Sequence, residues 1–397
     1  MIKKIPIELI GLLCTVSLFA QPQVKFSGYI QTQYQYGERD AKLKVGIANE
    51  NPEKSFSRIG IRRGRIKLTA EEGLFSGVFQ IDLTEKGLGL KDAYLNVKDP
   101  WINTIQLRAG VFDRPYGNEI SYSSSRRESP ERSTVFQTLF PNERDLGGML
   151  ILQPAKTSPL NILKLEAGLF GGNGIQVETF SPKDFIGHLT ITETIGHKAS
   201  FGVGASYYNG RVYQGTKNVY TMQGKGFVVN DNEVNRGKYA KREYIGFDAQ
   251  FSMIRSIVGT TQVRAECLFG QQPSTAGSSN SPNAAALPIV DTYIRNFQGY
   301  YVILIQDLGN TPFSAVFKYD SYNPNTKVSG DEIGLNGTSK TDLAFSTFGF
   351  GALWKVSNSF RLQAFYEINK NENSTNVSGY DKDLKDNIFT MRLQYRF

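Results

Sequence analysis

The amino-acid sequence predicts an all-β protein, a transmembrane antiparallel β-barrel of about 16 strands. The first observation behind this prediction is that apolar and polar residues alternate along many segments of the chain. The second is that several of these segments hold nine or more residues, the length that a tilted strand needs to cross a bilayer. A soluble β-sandwich also alternates, but its strands are usually about five or six residues long. The third is that short turns interleave with long polar loops.

Composition agrees with a chain of many strands. The sequence has 397 residues, of which 39 are glycine, and glycine is frequent where short strands are joined by turns. No later segment has the eighteen or so uninterrupted apolar residues of a transmembrane helix. The net charge of +8 is modest for this length and spread along the chain, so no nucleic-acid partner is predicted.

The N-terminus predicts export from the cytoplasm. Lys3 and Lys4 precede an apolar run from Leu9 to Phe19. A basic segment followed by a short apolar run is typical of a secretory signal peptide, which we predict over residues 1–20, with residues 21–397 forming the barrel. The alternative is an N-terminal anchor helix, but the apolar run is too short to span a bilayer.

The strand prediction rests on period-2 alternation. In "VKFSGYIQTQYQY", residues 24–36, one face carries apolar and aromatic residues and the other carries lysine, serine and glutamine, apart from Tyr29. The same pattern recurs to the end of the chain. The predicted strands cover residues 24–36, 58–70, 74–84, 88–98, 103–113, 146–153, 161–170, 185–194, 199–208, 239–254, 260–270, 293–308, 312–322, 343–356, 359–370 and 386–397.

The last strand, "DNIFTMRLQYRF", shows what its outer face should contact. Its alternate residues from Phe389 to Phe397 are all apolar or aromatic, which suits contact with lipid. A final aromatic residue fits the interfacial girdle of a barrel, and it resembles the C-terminal recognition signal of outer-membrane barrels. The alternative is the edge strand of a sandwich that ends on phenylalanine by coincidence.

The connections predict how the barrel is oriented. Tight turns alternate with longer polar loops over residues 37–57, 114–145, 171–182, 209–238, 271–292, 323–340 and 371–385. Short turns at one end and long loops at the other are typical of outer-membrane barrels, and an even number of strands places both termini at the short-turn end. Closure by pairing of the first and last strands would leave no free edge.

A barrel of this size is wide enough for a water-filled lumen. The second strand, "SRIGIRRGRIKLT", has the densest cluster of positive charge in the chain and no acidic residue. Alternation places Arg65 and Lys67 toward the lumen, and Arg63 with them unless Gly64 marks a bulge. A row of fixed cations lets an anion pass from one site to the next. The alternative is a solvated wall whose cations pair with acids on the opposite side.

The segment over residues 114–145 is a candidate constriction loop, because barrels of this kind commonly fold such a loop into the lumen. Its basic and acidic residues balance, so its composition alone does not predict an anion filter. The adjacent Arg126 and Arg127 are the part most worth testing. The predicted anion pathway therefore comprises Arg63, Arg65, Lys67, Arg126, Arg127 and Arg108.

Four segments carry a family resemblance. "SRIGIRRGRIKLTAEEGLFSGVFQIDL", "LKDAYLNV", "IQLRAGVFDRPYG" and "SSSRRESPERSTVFQTLFPNERDLGG" resemble the phosphate-selective porin O/P family over about residues 56–148. The resemblance implies a homotrimeric channel in outer-membrane lipid that conducts small anions, with arginines on the wall and a lysine cluster deeper in the pore. The lysines here are scattered, and five acidic residues also face the lumen by alternation: Asp82, Asp92, Glu166, Glu266 and Glu367. A general, non-selective porin is therefore the alternative.

The sequence does not favour catalysis. Beyond the predicted signal peptide it has one cysteine, Cys267, and the whole chain has two histidines, His188 and His197. These do not make up a metal set, and no Gly-x-Ser-x-Gly motif of a hydrolase is present. We therefore expect no enzyme activity, no cofactor and no metal, with an outer-membrane barrel enzyme as the weaker alternative. A substrate-specific partner of a larger uptake system would usually carry a plug domain, which the sequence does not show.

Overall fold

The computed structural model describes residues 22–141, 143–283 and 285–397. The predicted signal peptide over residues 1–20 lies outside this described part of the chain. The described chain folds into a closed antiparallel barrel of 16 strands, which confirms the predicted fold class. Two further short strands form a hairpin in one of the long loops.

The strands of the first half are β1 (Gln23–Gly37), β2 (Phe56–Glu72), β3 (Phe75–Thr84), β4 (Gly87–Lys98), β5 (Ile105–Asp113), β6 (Arg144–Leu152), β7 (Leu163–Phe170), β8 (Asp184–Ile195) and β9 (Ala199–Tyr213). Those of the second half are β10 (Val219–Gln223), β11 (Gly226–Asn230), β12 (Tyr239–Arg255), β13 (Gly259–Ser274), β14 (Thr292–Asp307), β15 (Phe313–Asn323), β16 (Phe345–Lys355), β17 (Phe360–Asn371) and β18 (Ile388–Arg396). Strands β1–β9 and β12–β18 form the barrel wall.

The barrel closes between its first and last strands. Strand β1 pairs with β2 on one side and with β18 on the other. At the end of this seam Gly28 and Phe397 exchange two backbone hydrogen bonds, of 3.0 and 3.1 Å. Closure pairs the strand edges that would otherwise be exposed.

The two faces of the wall differ as the alternation predicts. On β18, Met391 and Leu393 are about two-fifths exposed on the outer face, whereas Arg392 and Gln394 are buried on the inner face. Aromatic pairs ring the outer surface, such as Phe26 beside Phe397 with ring centres 5.9 Å apart at the short-turn end. An apolar belt with aromatic residues at its borders is the surface that a bilayer requires of a barrel.

The hairpin corrects the predicted loop over residues 209–238. Strand β9 continues to Tyr213, and β10 and β11 pair antiparallel within the supposed loop. Gly224, with φ of +58°, makes the turn between them, in a conformation that glycine adopts readily. Strand β10 also pairs in parallel with the start of β14, so the wall extends beyond the apolar belt on this side.

Short helices occur only in the loops of the described chain. Helix α1 (Thr134–Leu139) and three 3₁₀ turns lie there, at Glu233–Asn235, Gly330–Glu332 and Lys340–Asp342. Helix α1 has six residues, which are too few to show helical periodicity in the sequence. None of the described helices has the length and apolar character to cross a membrane.

A β-bulge sets the direction of the arginines on β2. Gln31 lies opposite Arg63, whereas the next residue, Thr32, lies opposite Ile61, so Arg62 is the extra residue. The bulge therefore precedes Arg63 rather than falling at Gly64, and the expected inward direction of Arg63 is confirmed. The irregularity also lets the neighbouring Arg62 reach an inner-loop carboxylate.

Much of the lumen is filled by a hydrophobic cluster. The segment 114–141, called here the inner loop, turns into the barrel and packs apolar side chains of α1 against the wall. Phe136 meets Tyr301 with ring centres 6.3 Å apart, and Phe140 meets Tyr208 and Tyr244 at 5.9 and 5.7 Å. The inner loop thus occupies part of the lumen, and its role as a constriction stays a prediction.

Candidate functional site

Hydrogen bonds fix the inner loop to strands around the barrel. The backbone nitrogens of Asn118 and Glu119 donate to the Glu266 carboxylate of β13 over 3.1 and 2.5 Å. On the other side, Gln31 of β1 donates to the Ser124 carbonyl over 3.0 Å. Because the loop is anchored on opposite walls, it crosses the lumen, and cavities lie on either side of it toward the two ends of the barrel.

The first cavity opens at the short-turn end and has a volume of about 580 Å³. Seven basic residues line it and only two acidic residues, Asp92 and Asp113. The basic residues are Lys25, Arg65, Lys67, Arg108, Arg126, Arg144 and Arg396. This short-turn cavity is therefore strongly positive.

The second cavity opens at the long-loop end and has a volume of about 520 Å³. Its lining includes four basic residues and five acidic ones, so its formal charge is −1. The acidic residues are Asp40, Glu131, Asp320, Glu367 and Asp386. The formal charge of the lining is thus +5 in the short-turn cavity and −1 in the long-loop cavity.

A polar layer separates the two cavities. On β1, Tyr29 lines the short-turn cavity and Gln35 lines the long-loop cavity, whereas the inward residues between them, Gln31 and Gln33, line neither. Gln33 accepts a hydrogen bond of 2.7 Å from Arg392. Tyr29 and Gln35 are six positions apart on β1, which corresponds to about 20 Å along the strand. The polar layer between them therefore lies near the middle of the barrel.

Glu131 of the inner loop is the centre of this layer. Its carboxylate accepts hydrogen bonds of 2.8 Å from Arg62, 3.0 Å from Arg63 and 2.8 Å from Arg392. The side chains of Arg63, Arg392 and Glu131 are at most 8% exposed. Three guanidinium groups share one carboxylate, which leaves two positive charges without a partner within this group. We call these three arginines and Glu131 the arginine cluster.

The predicted pathway residues of β2 lie in a row that leads to this cluster. Lys67 and Arg65 line the short-turn cavity, and Arg63 follows in the layer above. Inward neighbours on a strand are about 6–7 Å apart. Arg65 is buried and lies 3.4 Å from an Asp82 oxygen, so this arginine has an acidic partner, as the alternative prediction of a paired wall requires.

Of the other predicted pathway residues, two line the short-turn cavity and one does not. Arg108 lines the short-turn cavity, stacked over the rings of Tyr94 and Phe112 at 4.5 and 5.5 Å. Arg126 is exposed in the same cavity. Arg127 is 3% exposed inside the inner loop, donates to the Tyr122 carbonyl over 3.2 Å, and lines neither cavity. The two adjacent arginines therefore do not act on the lumen as a pair.

Among the seven basic residues of the short-turn cavity, Arg65 and Arg144 pair with acidic residues. The other five lack an ion-pair partner among the described residues: Lys25, Lys67, Arg108, Arg126 and Arg396. Lys25 lies opposite Thr69 and Lys67 lies opposite Ser27, so the two lysines are diagonal neighbours on the inner face. Unpaired charges retain their full attraction for a passing anion, whereas paired charges are partly neutralised. Lys25 and Lys67 are far apart in the sequence, and only the pairing of β1 with β2 brings them together.

The rim of the long-loop cavity carries a group of carboxylates. Asp386 lies there near Asp383, Glu38 and Asp40. Burial, followed by the negative charges of Asp383, Glu38 and Asp40, raises the pKa of Asp386 to about 6. This group therefore changes its charge within the mildly acidic range.

The sequence did not identify Glu131, Arg62 or Arg392 as members of one site. Arg392 is visible as an inward residue of the last strand, but β2, on the far side of β1, lies more than 300 residues earlier in the chain. The useful signal is that β1 must pair with both β2 and β18 in a closed barrel, which brings their inward arginines together. In the described part of the chain, no group of three or more His, Cys, Asp or Glu is arranged to hold a metal ion.

Comparison with known proteins supports the fold. No family model matches the chain, and no curated protein matches it, so the resemblance to the phosphate-selective porin O/P family stays a prediction. Several solved structures share the architecture. The chain is similar to OmpF of Salmonella typhi in complex with daunomycin, with a TM-score of 0.59, 12% identity and coverage of 94% of this chain and 97% of that one.

Two other solved structures are similar over nearly their whole length. One is the outer-membrane channel DcaP of Acinetobacter baumannii, with a TM-score of 0.56, 13% identity and coverage of 95% of this chain and 97% of that chain. The other is OmpT of Vibrio cholerae in a trimer form, with a TM-score of 0.54, 12% identity and coverage of 95% and 100%. At these identities the likeness is one of fold.

Proposed function

We propose that this protein is an outer-membrane porin, a water-filled channel for passive diffusion with a preference for small anions. The observation that supports anion preference is the short-turn cavity, where seven basic residues face two acidic ones. Five of those cations, Lys25, Lys67, Arg108, Arg126 and Arg396, have no ion-pair partner in the described chain. The row from Lys67 through Arg65 to Arg63 supplies successive sites for an anion. Phosphate and polyphosphate are candidate solutes, because arginine binds phosphate oxygens through two hydrogen bonds.

Membrane location is supported by the outer surface of the barrel. Large apolar side chains cover it, and aromatic pairs lie near its ends. We infer that the short turns face the periplasm and that the long loops face outward. DcaP is described as an outer-membrane channel, and this supports the same location for a chain of the same fold.

A homotrimer is part of the proposal. OmpT of Vibrio cholerae was solved in a trimer form, and the resemblance of residues 56–148 to the O/P family implies the same assembly. Native mass spectrometry of the purified barrel tests this. A mass of three chains is expected, and a monomer in lipid nanodiscs would contradict it.

The second candidate function is general, non-selective diffusion. It is favoured by the ion pair of Arg65 with Asp82 and by the net negative lining of the long-loop cavity. Each unpaired cation lowers the energy of an anion at 4 Å by about 1 kcal/mol in water-like surroundings. Salt screens such charges over about 8 Å at physiological ionic strength. We therefore expect an anion preference of several-fold rather than exclusion of cations.

Removal of three of the unpaired cations tests the proposal. The variant with Lys25→Gln, Lys67→Gln and Arg126→Gln should lose much of the preference of chloride over potassium in planar bilayers. A matched control removes three cations that line neither cavity, at the same end of the barrel: Lys156→Gln, Lys198→Gln and Arg255→Gln. The proposal fails if the control variant shifts the reversal potential as much as the lumen variant does.

A further inference from the structure

We propose that Glu131 is a tethered competitor, a carboxylate of the chain itself that occupies an oxyanion-binding site formed by Arg62, Arg63 and Arg392. A multivalent oxyanion entering the lumen would displace this carboxylate and take its place. The inference rests on the proposed function in that it concerns the same passage for anions. It goes further by assigning a binding site and the group that blocks it.

The geometry of the arginine cluster is that of a filled anion site. One oxygen of Glu131 accepts from Arg62 and Arg392, and the other accepts from Arg62 and Arg63, all four over 2.8 to 3.0 Å. A carboxylate held by several guanidinium groups is chemically equivalent to a bound oxyanion. The donors converge from β2 and β18, on opposite sides of β1, whereas the acceptor belongs to the inner loop.

Charge explains why a multivalent oxyanion would displace the competitor and chloride would not. The three arginines carry +3, and Glu131 neutralises one of these charges. A monovalent ion that replaces Glu131 leaves the same excess of two charges. A divalent oxyanion leaves an excess of one, and it offers more oxygen atoms to the donors than a chloride ion does.

The displaced side chain has a place to go. Glu131 already lines the long-loop cavity, so its carboxylate reaches water there by a side-chain rotation. Its backbone is held independently, because the Glu131 carbonyl accepts from Ser129 over 2.9 Å and from Lys318 over 3.3 Å. The inner loop can therefore keep its position while the carboxylate moves. An anion reaches the cluster from the short-turn cavity along Lys67 and Arg65.

Titration calorimetry on the full-length protein in detergent tests competition, with inorganic phosphate as the probe. Removing the competitor in Glu131→Gln should increase phosphate affinity on the order of tenfold, within the usual range of coupling between two sites. The shorter carboxylate of Glu131→Asp should give an intermediate affinity. Arg392→Gln added to Glu131→Gln should abolish the gain, because it removes a donor from the site.

Glu128→Gln is the matched control. Glu128 is also a buried glutamate of the inner loop, but it pairs with Arg264 on β13, away from the arginine cluster. Its substitution should change phosphate affinity less than Glu131→Gln does. A heat-dependent shift in gel mobility establishes for each variant that the barrel is folded, and if Glu131→Gln does not fold, Glu131→Asp carries the test.

Equal or weaker phosphate binding by a folded Glu131→Gln or Glu131→Asp variant overturns the competitor role, since Glu131 would then be a structural partner or a ligand. The result is separable from the proposed function. If the wild-type protein prefers chloride but Glu131→Gln leaves phosphate affinity unchanged, the proposed anion-preferring channel stands and the competitor role of Glu131 is refuted. If Glu131→Gln raises phosphate affinity but the wild-type protein does not prefer chloride, the competitor role stands and the anion preference is refuted.

Discussion

At the scale of single residues, the side of the wall that a residue faces decides which substitutions it tolerates. Leu393 lies on the outer face in the middle of β18, about two-fifths exposed. Gln394, the next residue, is buried on the inner face, accepts a hydrogen bond of 2.7 Å from Gln31 and donates one of 3.0 Å to the Ser125 carbonyl. An inner residue in contact with the inner loop is therefore as constrained as one in a protein core.

The first prediction compares an outer with an inner position. Leu393→Arg should destabilise the barrel by about 2–4 kcal/mol, because it places a charge against lipid near the middle of the bilayer. Gln262→Arg should cost far less, because Gln262 is half-buried, faces the lumen and lines an open space. Equilibrium unfolding in urea with lipid vesicles measures both. Equal losses would mean that the assignment of faces is wrong.

The second prediction concerns the pH dependence of Asp386. Its pKa in the folded protein is raised to about 6 from its ordinary value of 3.8, chiefly because the carboxyl group is buried. The folded state is therefore penalised by this ionised group above pH 6, and stability increases as the pH falls through 6 and the group takes up a proton. The same protonation removes a negative charge from the long-loop rim. Anion preference should rise when the pH on that side is lowered from about 7.5 to about 5.

Asp386→Asn tests this assignment. The variant should have a higher anion preference at neutral pH than the wild-type protein and a smaller response to acid. The measurement is the reversal potential in planar bilayers with pH changed on one side only. An identical acid response in the two proteins would assign the effect to other carboxylates of the rim.

At the scale of elements, the seam between β1 and β18 determines whether the barrel closes. A side chain at Gly28 would place its Cβ 2.4 Å from the Arg65 carbonyl oxygen and 2.7 Å from the Phe397 ring. Phe397 thus covers Gly28 on the outer surface, beside Phe26. The final residue of the chain therefore contributes packing to the seam in addition to its backbone hydrogen bonds.

The third prediction follows from this contact. Gly28→Ala should destabilise the barrel by about 1–3 kcal/mol, the usual cost of forcing an atom into a packed site. Gly89→Ala is the matched control, since a Cβ at this strand glycine meets nothing within 4 Å. Removal of Phe397 should impair assembly in the same way as Gly28→Ala. The fraction of heat-modifiable barrel in membranes measures assembly, and equal fractions for Gly28→Ala and Gly89→Ala would contradict the packing argument.

Individual barrel strands were predictable from the sequence because lipid on one side and water on the other impose strict alternation. The inner loop was predictable only as a long segment after β5. Its contacts depend on residues such as Glu131 and Arg392, which are distant in the chain and meet only when the barrel closes. The bulge at Arg62 was not predictable either, because alternation marks the side a residue faces but not the place where one residue is added.

At the scale of the whole molecule, charge is distributed unevenly along the barrel axis. The short-turn cavity has an excess of five positive charges, the polar layer holds the arginine cluster, and the long-loop cavity has an excess of one negative charge. An anion entering from the short-turn end therefore meets attraction first, whereas one entering from the long-loop end crosses a slightly repulsive region. The net charge of the chain, +8, gives no indication of this arrangement.

The most direct test of anion preference is the reversal potential of the wild-type protein in a planar bilayer with a tenfold gradient of potassium chloride. With the short-turn cavity setting the selectivity, chloride should permeate several-fold more readily than potassium, and the reversal potential should have the sign of an anion-preferring channel. Measurement at low salt should increase the preference, because screening is weaker there. A reversal potential with the sign of a potassium-preferring channel, at low salt as well as at high salt, would contradict the account.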